Sequence, residues 1–279
     1  MKFQTGTGRM SFSSMLALAA AGFVCQAQIV TLNNANSSAS INFGSQAGMF
    51  NWIVDGHNQL NQQWFWYRMD GMVGQLSIDT LSAPTLTLNG FNVATATYFG
   101  AGFNLSTTYT LTGGQAGSGV SDIGESIRIN NTSATSLSFH FYQYSDFTLG
   151  GTPQDDTTTL GKSISGKFNE ALVSDDVHLI KESVDTVDTP GADYGEVAPK
   201  GSTLASLNGG TNYVLNGAAG PFGPGYYTWA LEWDLNIAPG GSVLISKDKN
   251  LQFVVPEPSA VLLIPLGMLA WGLRRKLDA

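Results

Sequence analysis

The sequence predicts an all-β protein, an antiparallel β-sandwich or jelly-roll-like domain. Short segments of alternating apolar and polar residues recur along the middle of the chain, separated by turn residues. Charged residues make up only 12%, while Gly, Ser, Thr and Asn are abundant. Such a composition suits strands that show a small polar face to water, not helices that need Ala, Glu, Lys and Leu. No internal repeat of fixed period is present.

The clearest strand is Tyr227 to Ile237. Tyr227, Trp229, Leu231, Trp233, Leu235 and Ile237 share one parity, and Thr228, Ala230, Glu232, Asp234 and Asn236 the other. Strict period two predicts one buried and one solvent-facing side. Pro239-Gly240-Gly241 then turns the chain into a return strand from Val243 that ends near Lys247-Asp248-Lys249, and Leu251 to Val255 forms a last strand. Residues 123–130 and 136–145, around Asn130-Asn131, read as a hairpin. Leu105 to Leu111, Gln75 to Asp79 and Thr85 to Leu88 read as strands, and Val177 to Val184 as a strand or a short helix. Gly113 to Gly119 and Gly217 to Gly225 read as long loops.

Both ends of the 279-residue chain read as targeting segments, which leaves one folded unit between them. Residues 1–27 have the form of a signal peptide. Lys2 and Arg9 precede an apolar stretch from Met15 to Val24, and Cys25-Gln26-Ala27 places small residues for a cut between Ala27 and Gln28. Phe23 and Val24 are too bulky before Cys25 for a lipid attachment site. Cys25 is the one cysteine, so the body has neither a disulfide framework nor a thiolate metal site.

Residues 28–254 form the predicted sandwich and 255–279 the tail. The tail reads Pro256-Glu257-Pro258, an apolar run from Ala260 to Leu273, then Arg274-Arg275-Lys276. Two prolines around a glutamate keep the first part extended and open to a protease. The apolar run predicts a short transmembrane helix of roughly 20 Å, and the basic cluster holds the C-terminus in the cytoplasm.

These three ordered features resemble the PEP-CTERM sorting signal. The resemblance covers about 25 residues and departs only in the trailing Leu277-Asp278-Ala279. It implies export through the general secretion machinery of a Gram-negative, exopolysaccharide-producing bacterium, and a transient inner-membrane anchor. It also implies recognition by exosortase, a membrane protease-transpeptidase, with cleavage near Pro256, Glu257 and Pro258, then a cell-surface or extracellular location. The turn Ala238 to Ser242 and the segment Ile245 to Lys249, following Leu231-Glu232-Trp233-Asp234, resemble a segment of other proteins with this tail. That implies a shared β-domain without assigned catalytic residues.

Five of the 13 basic residues lie in the end segments, against Glu257 and Asp278 of the 21 acidic ones. The body is therefore more acidic than the net charge of −8 conveys, which excludes binding to a phosphate backbone.

Glu232 and Asp234 point to one face of their strand. A retaining glycosidase of the laminarinase-like jelly-roll type, the family this spacing resembles, needs a second Glu after them. Asn236 and Ile237 stand there instead. His57, His140 and His178 have no metal-binding spacing, and there is no Gly-x-Ser-x-Gly elbow or phosphate loop. Asp155, Asp156, Asp175, Asp176, Asp185, Asp188 and Asp193 read as a solvated acidic surface, with a structural Ca²⁺ as their other use. In Trp64-Phe65-Trp66-Tyr67 one face packs in the core, and the other either packs under a neighbour or forms a platform for sugar stacking.

The function expected from these readings is a non-enzymatic structural or adhesive protein of the envelope or polysaccharide matrix, with an extracellular glycan as the candidate ligand. A carbohydrate-active enzyme on a jelly-roll fold is the alternative. Processing has a direct check. Protein from its host, digested after Lys249, should release a C-terminal peptide that starts at Asn250 and stops near Pro256 to Pro258. A peptide that runs intact through Arg274 rules out cleavage there.

Overall fold

The computed structural model describes residues 29–185 and 191–253. The predicted signal-peptide cut at Ala27 and Gln28, the motif Pro256, Glu257 and Pro258, and the cluster Arg274, Arg275 and Lys276 lie outside the described residues. Among those described, no helix is long and apolar enough to cross a membrane.

In chain order the strands are β1 (Ile29–Asn34), β2 (Ser37–Asn42), β3 (Gly48–Val54), β4 (His57–Asn58), β5 (Leu60–Met69), β6 (Leu76–Ser77), β7 (Thr85–Asn89), β8 (Val93–Gly100) and β9 (Phe103–Gly113). They continue with β10 (Ser121–Asn131), β11 (Leu137–Phe147), β12 (Thr157–Lys162), β13 (Phe168–Ser174), β14 (His178–Val184), β15 (Tyr194–Pro199), β16 (Tyr227–Ile237) and β17 (Ser242–Phe253). One short helix, α1 (Ser202–Leu207), follows β15. The first sheet runs β1-β2-β3-β5-β11-β16-β15, with β4 on β3 and β6 on β5, and the second runs β12-β13-β14-β17-β10-β9-β8-β7. Pairing is antiparallel except for a brief parallel contact of β3 with β5. The sandwich prediction holds.

Aromatic rings fill the space between the sheets. Tyr67 stacks on Phe139 at 5.8 Å, Phe65 on Phe141 at 5.3 Å, and Phe103 meets Phe139 edge-on at 5.0 Å. Such pairs add to the gain from burying their area. The second sheet turns a hydroxyl face to water, where Thr95 pairs with Thr108 and Thr97 with Ser106 across strands. Trp64, Phe65, Trp66 and Tyr67 are all buried, so this run packs and offers no open platform.

The predicted hairpin at Asn130-Asn131 does not form. β10 pairs with β9 and β17 in the second sheet, and β11 with β5 and β16 in the first. The chain crosses the sandwich there because β10 has one apolar face whereas β11 is buried on both. Residues 238–241 make the same crossing beside it, so the return strand after Pro239 belongs to the opposite sheet. Asn131 ties the two crossings together. Its side-chain amide donates to the carbonyls of Thr135, Ile237 and Ala238 at 2.7, 2.9 and 3.1 Å.

The predicted break at Lys247-Asp248-Lys249 is also corrected, because β17 runs unbroken through it. Lys247 and Lys249 share the parity of Ile245 and Leu251 and point between the sheets. Lys247 Nζ lies 2.6 Å from Glu125 Oε2 and 3.4 Å from Glu182 Oε1. Lys249 Nζ lies 2.7 Å from Glu125 and 3.1 Å from Glu182. All four side chains are sealed from water. Removing one cation leaves a carboxylate uncompensated in the core. Lys249→Ala should therefore cost about 3–5 kcal/mol, read from urea unfolding of the purified body.

Candidate functional site

The outer face of the first sheet carries three rows of side chains, set by the register of β5, β11, β16 and β15. Arg68, His140 and Asp234 form the first; Trp66, Tyr142, Glu232 and Tyr194 the second; Trp64, Tyr144, Ala230 and Glu196 the third. Solvent exposure of this face of β16 was predicted, but Thr228, Ala230 and Glu232 are buried. The reason is the segment 202–226, which begins with α1 and folds back over the sheet. Two carboxylates anchor it. Glu196 accepts from Thr203 Oγ1 and Tyr213 Oη, each at 2.6 Å, and from Asn216 N at 3.1 Å. Glu232 Oε2 accepts from Leu215 N at 3.0 Å. Trp66 Nε1 donates to Asn208 at 3.1 Å beneath the same cover.

The cover stops at the first row. Asp234 and Asp70 are open to solvent, His140 is partly so, and the Glu232 side chain is fully buried behind them. His140 Nδ1 lies 2.5 Å from Asp234 Oδ1 and 3.7 Å from Glu232 Oε1, with Nε2 3.9 Å from Asp70. With Asp234 accepting the Nδ1 proton, Nε2 is the nitrogen left to face a ligand. Glu232 Oε1 has no hydrogen-bond partner. Burial pushes the Glu232 carboxyl up to about 7 against the hydrogen bond from Leu215 N, which opposes the rise. Tyr142, raised to about 12 chiefly by burial, donates to the Tyr213 carbonyl at 3.0 Å. Arg68 reaches the same hydroxyl at 3.4 Å, and its Nε is unpartnered.

His140, Glu232 and Asp234 are thus brought together, although His140 has no metal-binding spacing in the sequence. Each offers a ligand atom, and these atoms lie within 4.8 Å of one another, which could hold a small cation. Arg68, Asp70, Tyr142 and Tyr213 went unnoticed in the sequence. Their signal was a solitary charge ending an aromatic strand, and its meaning depends on register. The predicted aspartates are dispersed. Asp155, Asp175 and Asp176 line a cleft with His57 and His178, and Asp175 accepts from His178 N at 2.5 Å. Asp156 is buried and raised to about 7 by burial. Asp193 holds the backbone N–H of Asp234 at 3.0 Å, and Asp188 lies outside the described residues.

Comparison with known proteins assigns the tail and the fold. Residues 254–276 match the PEP-CTERM protein-sorting motif, so the protein is an exported one with the tail that exosortase processes. No curated protein matches the chain. Among solved structures it is similar to a putative aldose 1-epimerase from Escherichia coli K12, at 10% identity and TM-score 0.53, over 81% of this chain and 99% of that one. It is similar to a galactose mutarotase-like protein from Lactobacillus casei ATCC 334, at 8% identity and TM-score 0.50, over 80% and 100%. A bacterial glucoamylase complexed with acarbose aligns at 11% identity and TM-score 0.54 over 86% of this chain, which spans 34% of that one. These likenesses correct the expectation of a non-enzymatic body, because the fold it adopts is the fold of solved sugar-acting enzymes. The body is an antiparallel β-sandwich whose fold is similar to that of these structures, and the chain ends in a PEP-CTERM sorting motif.

The raised carboxyl has a sign that can be checked. Between about pH 5 and pH 7 the unfolded Glu232 has lost its proton while the folded one keeps it, so stability falls as pH rises. Glu232→Gln should flatten part of that fall in urea unfolding across this range; an unchanged slope would show that the carboxyl is not raised.

Proposed function

We propose that the exported body is a carbohydrate-active enzyme that binds the reducing end of an aldose against His140 and, once the sugar displaces the imidazole that covers it, Glu232, and catalyses proton exchange at its anomeric centre. The observation that carries this reading is the unpartnered Oε1 of a buried glutamate, 3.7 Å from an imidazole whose other nitrogen faces outward. Opening a cyclic aldose requires a proton to leave the anomeric hydroxyl and another to reach the ring oxygen. A carboxyl near pKa 7 exchanges protons readily at neutral pH, and the imidazole held by Asp234 supplies the second site. Asp70 and Asp234 accept from sugar hydroxyls, and Tyr194, half-exposed in the row of Glu232, offers a ring face. Hydrolysis fits less well. It needs two working carboxylates, and Asp234 is committed to His140.

Similarity in fold to a putative aldose 1-epimerase and a galactose mutarotase-like protein supports the substrate class. On this reading exosortase releases the body from a transient inner-membrane anchor of a Gram-negative cell, and it meets its sugar at the surface or in the extracellular polysaccharide. Exchange NMR on a panel of aldoses is the test. The protein should speed interconversion of the anomers of at least one sugar. Glu232→Gln should lower the rate about 10²–10⁴-fold, and Asp70→Asn should mainly raise KM. A panel with no acceleration, or a Glu232→Gln variant as fast as the parent, defeats the proposal.

A further inference from the structure

The charged cluster between the sheets contains more than paired ions. Gln143, on β11 of the first sheet, points into it and is fully buried. Its Oε1 lies against Lys247 Nζ, from β17 of the second sheet. Its Nε2 donates to both oxygens of Glu182 at 2.8 and 3.1 Å, and to Ser145 Oγ at 3.1 Å. Lys247 Nζ in turn lies 2.6 Å from Glu125 Oε2. An amine, a carboxamide, a carboxylate on the amine and a carboxylate on the amide nitrogen therefore meet in one water-free space.

We propose that Lys247 and Gln143 join in an isopeptide bond across the sandwich interior, with release of ammonia. Glu125 takes a proton from the Lys247 ammonium, and the free amine adds to the Gln143 side-chain carbonyl carbon. Glu182 removes the second proton from that nitrogen and passes it to the amide nitrogen it already holds. The bond from the carbonyl carbon to Nε2 breaks, and ammonia leaves. One N–C bond forms, one breaks, and nothing is oxidised or reduced. Glu125 keeps the first proton, so Lys249 and Glu182 remain as a neutral pair and the core carries no net charge.

Three features favour the step. Burial pushes the Lys247 amine toward its neutral, nucleophilic form. The groups are held in contact before reaction, and the exclusion of water protects the product. The bond also supplies what this exported body lacks. Its only cysteine lies in the signal segment, so no disulfide can staple β11 to β17.

Tryptic mapping of the full chain under denaturing conditions tests the proposal. Peptide Ile129–Lys162 should appear joined to Gly201–Lys249, with the site after Lys247 uncut and the pair lighter by one ammonia. Fragment ions should place the link at Gln143 and Lys247, which separates it from the equal mass lost if an N-terminal Gln28 cyclises. Glu125→Gln should return both peptides unlinked. Wild-type protein that yields Ile129–Lys162 and Gly201–Lys247 free, at full mass, overturns the proposal, and a Glu125→Gln variant still linked overturns the role given to Glu125.

Discussion

Four ionisable side chains in the middle of the sandwich constrain the chain around them as it folds. Glu125 and Glu182 need Lys247 and Lys249 within about one hydrogen bond, because an unpaired charge there would cost several kcal/mol. That requirement sets the register of β10 and β14 on either side of β17. It also brings Gln143 of the opposite sheet to one position, since its amide satisfies Glu182 and its carbonyl satisfies Lys247. The aromatic stacks beside the cluster give cohesion without direction. The charges supply the direction, since a slip of one residue would turn both lysines to solvent and bury neither partner's counterion.

Once β11 is fixed from within, its outer face is fixed as well. His140 and Tyr142 alternate with Phe141 and Gln143 on one strand, so placing the interior pair places the exterior pair. The register with β5 and β16 then lines up Arg68, His140 and Asp234, with Glu232 one row behind. The segment 202–226 completes the site by covering Glu232 and the third row, and it leaves Asp234 exposed and His140 partly so. Glu232 serves both layers. One oxygen anchors the cover through Leu215, and the other stays unbonded beside the imidazole.

Much of the fold was legible because strand alternation is a local signal. In β16 the parity of Trp229, Leu231 and Trp233 correctly marks the interior face. What the sequence hid was long-range. A lysine in a turn and a lysine paired in a core are the same letter. Only Glu125 and Glu182, far off in the chain, distinguish them, so Lys247-Asp248-Lys249 looked like the end of a strand. The outer face of β16 looked solvated because its cover follows from tertiary packing and not from the alternation of the strand itself. Asn130-Asn131 looked like a hairpin turn because turn chemistry does not say which sheet the next strand joins. The site was illegible for the same reason: Arg68, His140 and Glu232 become neighbours only when three strands pair in register. The tail, by contrast, is read from contiguous residues, and residues 254–276 match the PEP-CTERM protein-sorting motif.

The central claim is that a sugar binds at the open row on the outer face of the first sheet, with its anomeric centre at Glu232. A crystal structure of the body with an aldose is the most direct measurement. The sugar ring is expected beside Tyr194, with its anomeric hydroxyl or ring oxygen within hydrogen-bond distance of His140 Nε2 and the other on Glu232 Oε1, uncovered by a shift of the His140 ring. A sugar bound on the second sheet or in the cleft at His178, with the Glu232 site empty, would contradict it.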